Sequence, residues 1–217
     1  MSKAVLFDLD GTLVNTLPDL AAATNAVLEE YGYPPHPVEA YRRFVGNGAR
    51  KQIERALGTG DPATVERVLA SYLQIYDRMC LDQSRPYPYI DEVIEGLQQR
   101  GYTLLVVTNK PQPQAEKITR RFFGDAFAGV FGGCDRYPKK PDPASPRLAL
   151  EQVRADPAAS WFVGDSDVDV ITAKNAGLRG IGAGWGFRGE DELRRAGASR
   201  IAHAPLEVLS YIDGASE

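Results

Sequence analysis

Val5-Leu6-Phe7-Asp8-Leu9-Asp10-Gly11-Thr12-Leu13, residues 5–13, is the stretch whose reading decides the fold. Its first three residues are apolar and read as a short strand buried on both faces, which suits a parallel sheet covered by helices. The apolar run stops at Asp8. Residues two apart on an extended chain point the same way, so Asp8 and Asp10 can come close at the strand's end, just before a glycine turn. Two carboxylates that close repel each other and are costly unless a cation joins them. A hard divalent ion such as Mg2+, which prefers oxygen ligands, is the simplest such cation. Taken alone, the fragment reads equally well as an ordinary strand with an Asp-Gly turn. The rest of the chain decides between the two.

Downstream, Leu17-Pro18-Asp19-Leu20 reads as a helix start, with proline at an early position and Asp19 suited to the free N–H groups of the first turn. That helix runs to Gly32, and Tyr33-Pro34-Pro35-His36-Pro37 breaks it. A short helix around Tyr41, a flexible Gly46-Asn47-Gly48 loop and a helix from Ala49 to Leu57 follow. Next comes a long amphipathic helix carrying Val65, Val68, Leu69, Tyr72, Leu73, Tyr76 and Met79. Residues 16–83 therefore read as helical, inserted directly after the first strand. From residue 84 on, strands alternate with helices: Thr103 to Val107, Gly129 to Gly132, Trp161 to Val163, Arg179 to Ala183 and Ile201-Ala202 are the strands. Buried strands alternating with helices define an α/β doubly wound, mainly parallel sheet. The division expected is a core of residues 1–15 and 84–217 and a helical domain of residues 16–83.

The 217 residues carry 43% apolar and 25% charged side chains, enough to fill a core. A net charge of −4 and the lack of a Lys/Arg-rich run argue against nucleic acid as a partner. Cys80 and Cys134 make neither a disulfide framework nor a CxxC metal site and read as buried free thiols. The opening MSKAVLF turns polar at Asp8, so it reads as neither signal peptide nor membrane span. The expectation is a cytoplasmic monomer or homodimer that acts on a small molecule, with no membrane partner.

In open parallel sheets, ligands bind at the carboxyl ends of the strands. Three of the expected strands end in polar chemistry: Asp8 and Asp10, Thr108 and Asn109, and Asp165. Parallel strands bring all three to one edge. Asp167 is placed to cap the following helix, and Asp169 either turns back to the crevice or lies on a solvated face. Lys140, between Pro141 and the third strand, is either a solvated loop lysine or a point charge that offsets the carboxylates and binds phosphate. His36 and His203 sit at no strand end, and the Tyr72-Tyr76 stripe reads as packing.

Together these pieces resemble the haloacid dehalogenase superfamily, more narrowly its phosphoglycolate phosphatase-like branch. Asp8-Leu9-Asp10-Gly11-Thr12 is similar to the first motif, Thr108-Asn109-Lys110 to the second, Lys140-Pro141 to the third and Gly164-Asp165 through Asp169 to the fourth. Each is weak alone; four in order, each on the expected loop, are specific. The helical insertion resembles the family's C1 cap on a Rossmann-like core. Gly46-Asn47-Gly48-Ala49 and Trp185-Gly186-Phe187-Arg188 look like segments of the same branch.

The resemblance implies a Mg2+-dependent phosphomonoester hydrolase working through an aspartyl-phosphate, with 2-phosphoglycolate as substrate. Asp8 is the implied nucleophile and Asp10 the acid and base. Mg2+ is implied at the Asp8 and Asp165 carboxylates and the Asp10 backbone carbonyl, with Asp169 orienting Lys140 or a metal-bound water. Thr108, Lys140, Gly11 and Asn109 are implied to hold the phosphate. Cap residues Arg43, Asn47 and Arg50 are candidates for specificity, since an arginine there can pair with a substrate carboxylate. Asp10 also separates branches, because the dehalogenases and phosphonatases of the superfamily lack it. Rival readings are a phosphomutase resembling β-phosphoglucomutase, a pyrophosphatase or nucleotidase, and a receiver-type signalling module. A receiver lacks both the DxD strand end and the helical insertion.

Overall fold

Alternation along the first strand sets the layers. In a computed structural model that describes residues 2–214, β1 (Lys3–Phe7) puts Val5 and Phe7 on one face of a sheet and Ala4 and Leu6 on the other. Both faces are fully buried, which is why the run is apolar throughout. Among the described residues the main sheet has six strands in the order β5-β4-β1-β6-β7-β8. They are β4 (Tyr102–Pro111), β5 (Gly129–Gly133), β6 (Trp161–Gly164), β7 (Arg179–Ala183) and β8 (Ile201–Ala202), and every pairing is parallel.

The Val5 and Phe7 face packs against α5 (Ile90–Gln99), α6 (Gln112–Phe123) and α10 (Glu207–Asp213), through residues such as Val93, Ile118 and Ile212. The Ala4 and Leu6 face packs against α7 (Ala144–Val153) and α8 (Asp167–Ala176), through Leu150 and Ala173. Each large aliphatic side chain buried this way contributes about 1.5–3 kcal/mol. The result is the α/β doubly wound sheet expected, with β1 at its centre between β4 and β6.

Between β2 (Val14–Asn15) and β3 (Arg85–Pro86) lie α1 (Leu17–Glu30), α2 (Tyr41–Phe44), α3 (Ala49–Leu57) and α4 (Pro62–Met79). These helices share the apolar cluster of the Val5 face, which runs on through Leu9, Leu13 and Leu17 into the cap. Two short strands went unread in the sequence: β2 and β3 pair antiparallel, Asn15 opposite Arg85, and tie together the two chain crossings between core and helices. Asp19 also differs from expectation. It caps none of its own helix; its carboxylate accepts from the Gln83 and Ser84 N–H groups and the Ser84 hydroxyl at 2.9, 2.8 and 2.6 Å. The acid at the start of the helical insertion thereby holds its end. Cys80 is buried and Cys134 half-buried, both free.

Candidate active site

The carboxyl ends of β1, β4 and β6 meet at one place. Asp8 follows β1, Asp165 follows β6, and both are buried. One oxygen each of Asp8, Asp165 and Asp169 lies within 4.8 Å of the others. Burial pushes the Asp8 carboxyl up to about 6; Lys140 pulls it back, and the charges of Asp169 and Asp10 add to the rise. Burial and the nearby Asp169 and Asp8 push Asp165 well above the usual carboxylate range. Burial therefore disfavours charge on both carboxylates, and their mutual repulsion adds to it.

Lys140 is the nearest cation. Its Nζ lies 2.7 Å from Asp169 Oδ1 and 3.1 Å from Asp8 Oδ1. Burial works against the ammonium, but Asp169 and Asp8 outweigh it and hold Lys140 above its ordinary value. Its backbone is clamped by Asn109, whose Oδ1 accepts from Lys140 N at 2.8 Å and whose Nδ2 donates to Lys140 O at 3.0 Å. That Nδ2 also reaches Gly46 O of the cap at 3.1 Å, so the Asn109 side chain is fully committed to protein.

Asp169 turns back to the crevice. It is the third residue of α8, and its Oδ2 accepts from Ser166 N and Ser166 Oγ at 3.1 and 2.7 Å while Oδ1 meets Lys140. Ser166, not Asp167, is the N-cap, because the chain leaves its extended conformation one residue earlier than expected. Thr12 Oγ1 and Phe187 N donate to the Asp165 carboxylate at 3.4 and 2.7 Å. Gly11 and Gly186 press so close to it that a Cβ on either would collide with the carboxylate. Trp185 Nε1 closes that packing on Thr12 O at 3.0 Å.

The Asp10 carboxylate stands apart from the acid trio. It accepts from Thr16 Oγ1 at 2.6 Å and pairs with Lys110 Nζ at 2.9 and 3.1 Å. The cation that joins it is thus a lysine of the same chain, although the Asp10 charge is still near enough to raise Asp8.

Over these groups the cap encloses a cavity of about 30 Å³. Asp8, Asp10, Thr108, Asn109 and Lys110 form its floor, and Val45, Gly48, Gln52, Tyr72 and Tyr76 are among its cap-side walls. Asn47 and Arg50 are not in that wall. Asn47 Oδ1 accepts from Arg55 at 2.7 Å, and Arg50 pairs with Glu54 and Glu66 beside a neighbouring groove that also holds Lys139 and Cys134. Arg43 is exposed on the cap surface. Among the cap residues that do reach the cavity, Gln52 carries no mark in the sequence and the Tyr72-Tyr76 pair reads there as packing. Two tyrosines four residues apart on a helical stripe were the only signal, and their spacing alone does not separate a cavity wall from packing.

The haloacid dehalogenase-like hydrolase family matches residues 2–177. The chain is 35% identical to a phosphoglycolate phosphatase of Psychrobacter arcticus over 97% of its length and 95% of the relative's. It is also 35% identical to the N-acetylmuramic acid 6-phosphate phosphatase of Pseudomonas aeruginosa, over 98% of its own length and 96% of the relative's. A solved structure from Lactobacillus delbrueckii subsp. bulgaricus superimposes with a TM-score of 0.92 at 28% identity, covering 98% of this chain and 99% of that one. The chain therefore belongs to the haloacid dehalogenase-like hydrolases. Within them it is a phosphatase of the phosphoglycolate phosphatase-like kind.

Proposed function

We propose that the chain is a Mg2+-dependent phosphomonoester hydrolase that works through an aspartyl-phosphate on Asp8, with 2-phosphoglycolate as its substrate. The observation that carries this reading is the Asp8 carboxylate itself, buried at the end of the central strand beside Lys140 and on the floor of a cavity closed by the cap.

The site fits a hard divalent ion. Three buried carboxylates share one space, and two of them are pushed upward, chiefly by burial and then by one another's charge. Asp8 and Asp165 would hold Mg2+ with the Asp10 backbone carbonyl, while Asp169 is spent on Lys140 and Ser166. Bound there, the ion neutralises charge that builds on the phosphoryl oxygens.

The Asp8 carboxylate attacks phosphorus and the P–O bond to the leaving group breaks. Asp10 gives its proton to the leaving oxygen as an alcohol forms. It then takes a proton from water, whose oxygen attacks the aspartyl-phosphate, and inorganic phosphate departs with Asp8 restored. Lys140 offsets the repulsion between nucleophile and phosphate, and the Thr108 hydroxyl lies beside Asp8 to hold a phosphoryl oxygen. A space of about 30 Å³ holds little more than a water or two, so the ester enters when the cap lifts. The phosphoglycolate phosphatases among the relatives support 2-phosphoglycolate as the ester. A small-metabolite phosphatase of this kind is read as cytoplasmic.

The test is phosphate release, with and without Mg2+, from 2-phosphoglycolate, N-acetylmuramic acid 6-phosphate, hexose phosphates, nucleotides and pyrophosphate. Mg2+-dependent release led by 2-phosphoglycolate is expected. Release led by another ester overturns the substrate and keeps the chemistry. Isomerised hexose phosphates without release identify a mutase instead.

A further inference from the structure

Lys110 has a place in the site that the phosphatase chemistry above does not use. It lies near the end of β4, within the stretch between Val107 and Pro111 over which the β4–β5 register shifts, and its side chain is 1% exposed. An ammonium has three protons to donate, and burying one is costly unless each finds an acceptor. Here Asp10 Oδ1 and Oδ2 take two, at 2.9 and 3.1 Å, and Tyr76 Oη takes the third, at 2.6 Å. The first two acceptors belong to the core and the third to cap helix α4. Nothing remains for a substrate group to take.

Tyr76 is itself held in place. Its ring stacks on Tyr72 with centroids 5.5 Å apart and planes 7° from parallel. Tyr72 Oη accepts from Gln52 Nε2 at 3.2 Å, and the same nitrogen donates to Thr24 Oγ1 at 2.8 Å. Helices α1, α3 and α4 are thus linked by side chains that end on Lys110. Thr16, where the cap begins, grips the other side of Asp10 at 2.6 Å.

From this juxtaposition we propose that Lys110 is the positioning residue for Asp10, and that Tyr76 makes its grip depend on the closed cap; the inference rests on the phosphatase reading. When the cap lifts, Tyr76 leaves with α4, one ammonium proton loses its acceptor, and Lys110 is free to turn from Asp10. Closure restores all three bonds, so the acid is aimed only when bulk water is excluded. As the P–O bond breaks, its electron pair goes to the leaving oxygen, which takes the Asp10 proton. The carboxylate so formed develops its charge beside the ammonium, and Lys110 keeps all three of its protons throughout.

Leaving groups that need no proton separate this role from charge attraction or packing. The measurement is kcat/KM of the Mg2+-loaded enzyme on phenyl phosphate and on 4-nitrophenyl phosphate, which differ in how much the leaving oxygen needs a proton. Lys110→Met should lose about 10²-fold on phenyl phosphate and less than about fivefold on the nitrophenyl ester, the scale of a lost general acid. Tyr76→Phe removes one oxygen and should show the same skew at about tenfold. An equal loss on both esters, or none, overturns the role of Lys110. A Tyr76→Phe enzyme that matches wild type overturns the dependence on closure. If wild type releases phosphate neither from these esters nor from 2-phosphoglycolate, the phosphatase reading itself falls, and this inference with it.

Discussion

Asp8 and Asp165 are carboxylates held out of water with too little positive charge beside them. Both take up protons more readily folded than unfolded, Asp8 at about 6 against a usual 3.8. A group whose folded value is raised binds more protons in the native state, so stability falls as pH climbs through the interval between the two values. Metal-free protein should therefore lose thermal stability from about pH 4 to pH 6 through Asp8, with Asp165 adding to the loss as pH climbs, and saturating Mg2+ at neutral pH should restore it. Asp165→Asn should flatten the metal-free slope, as read from Tm against pH in a chelating buffer; an unchanged slope would remove the charge imbalance from the account. At this scale much of the site is legible in sequence, because Asp8, Thr108 and Asp165 each end an apolar run. Lys110 and Tyr76 are not. Their partners are distant in the chain, and a lysine in a strand end or a tyrosine in a helical stripe carries no local mark of the pairing.

Helices with clean periodicity and firm punctuation were readable nearly to the residue: α3 runs from Ala49 to Leu57 as its sequence reads, between Gly48 and Gly58. Elements set by tertiary pairing were not. β4 runs on to Pro111 because β5 pairs with it past the polar residues, and β2 and β3 are two residues each, too short for any pattern. Asp19 shows how a correct local argument loses to a distant one. An acid in a first helical turn is normally credited to the helix, yet this one satisfies donors of the returning chain. Removing it leaves the buried Ser84 N–H and hydroxyl, and the part-buried Gln83 N–H, without their acceptor, so Asp19→Ala should cost about 3 kcal/mol, measured by denaturant unfolding. A cost below about 0.5 kcal/mol would mean that water replaces the carboxylate and that the junction is looser than described.

At the scale of the molecule, the strand order does the assembling. With β1 between β4 and β6, three strand ends separated by more than 150 residues of chain, from Asp8 to Asp165, share one edge. The helices between β2 and β3 then roof that edge, and core and cap meet through bonds such as Asn109 to Gly46, Arg188 to Val45 at 3.0 Å and Lys110 to Tyr76. Alternating strands and helices made the sheet predictable; the closeness of the roof was not, since it depends on which side chains face across the cleft. The central claim is that Asp8 becomes phosphorylated during turnover. Rapid acid quenching of Mg2+-loaded enzyme with 2-phosphoglycolate carrying a radiolabelled phosphate tests it directly. The account predicts covalent label on the peptide that contains Asp8, and neither label nor turnover in Asp8→Asn. Full turnover by Asp8→Asn, with no labelled peptide in the wild type, would contradict it.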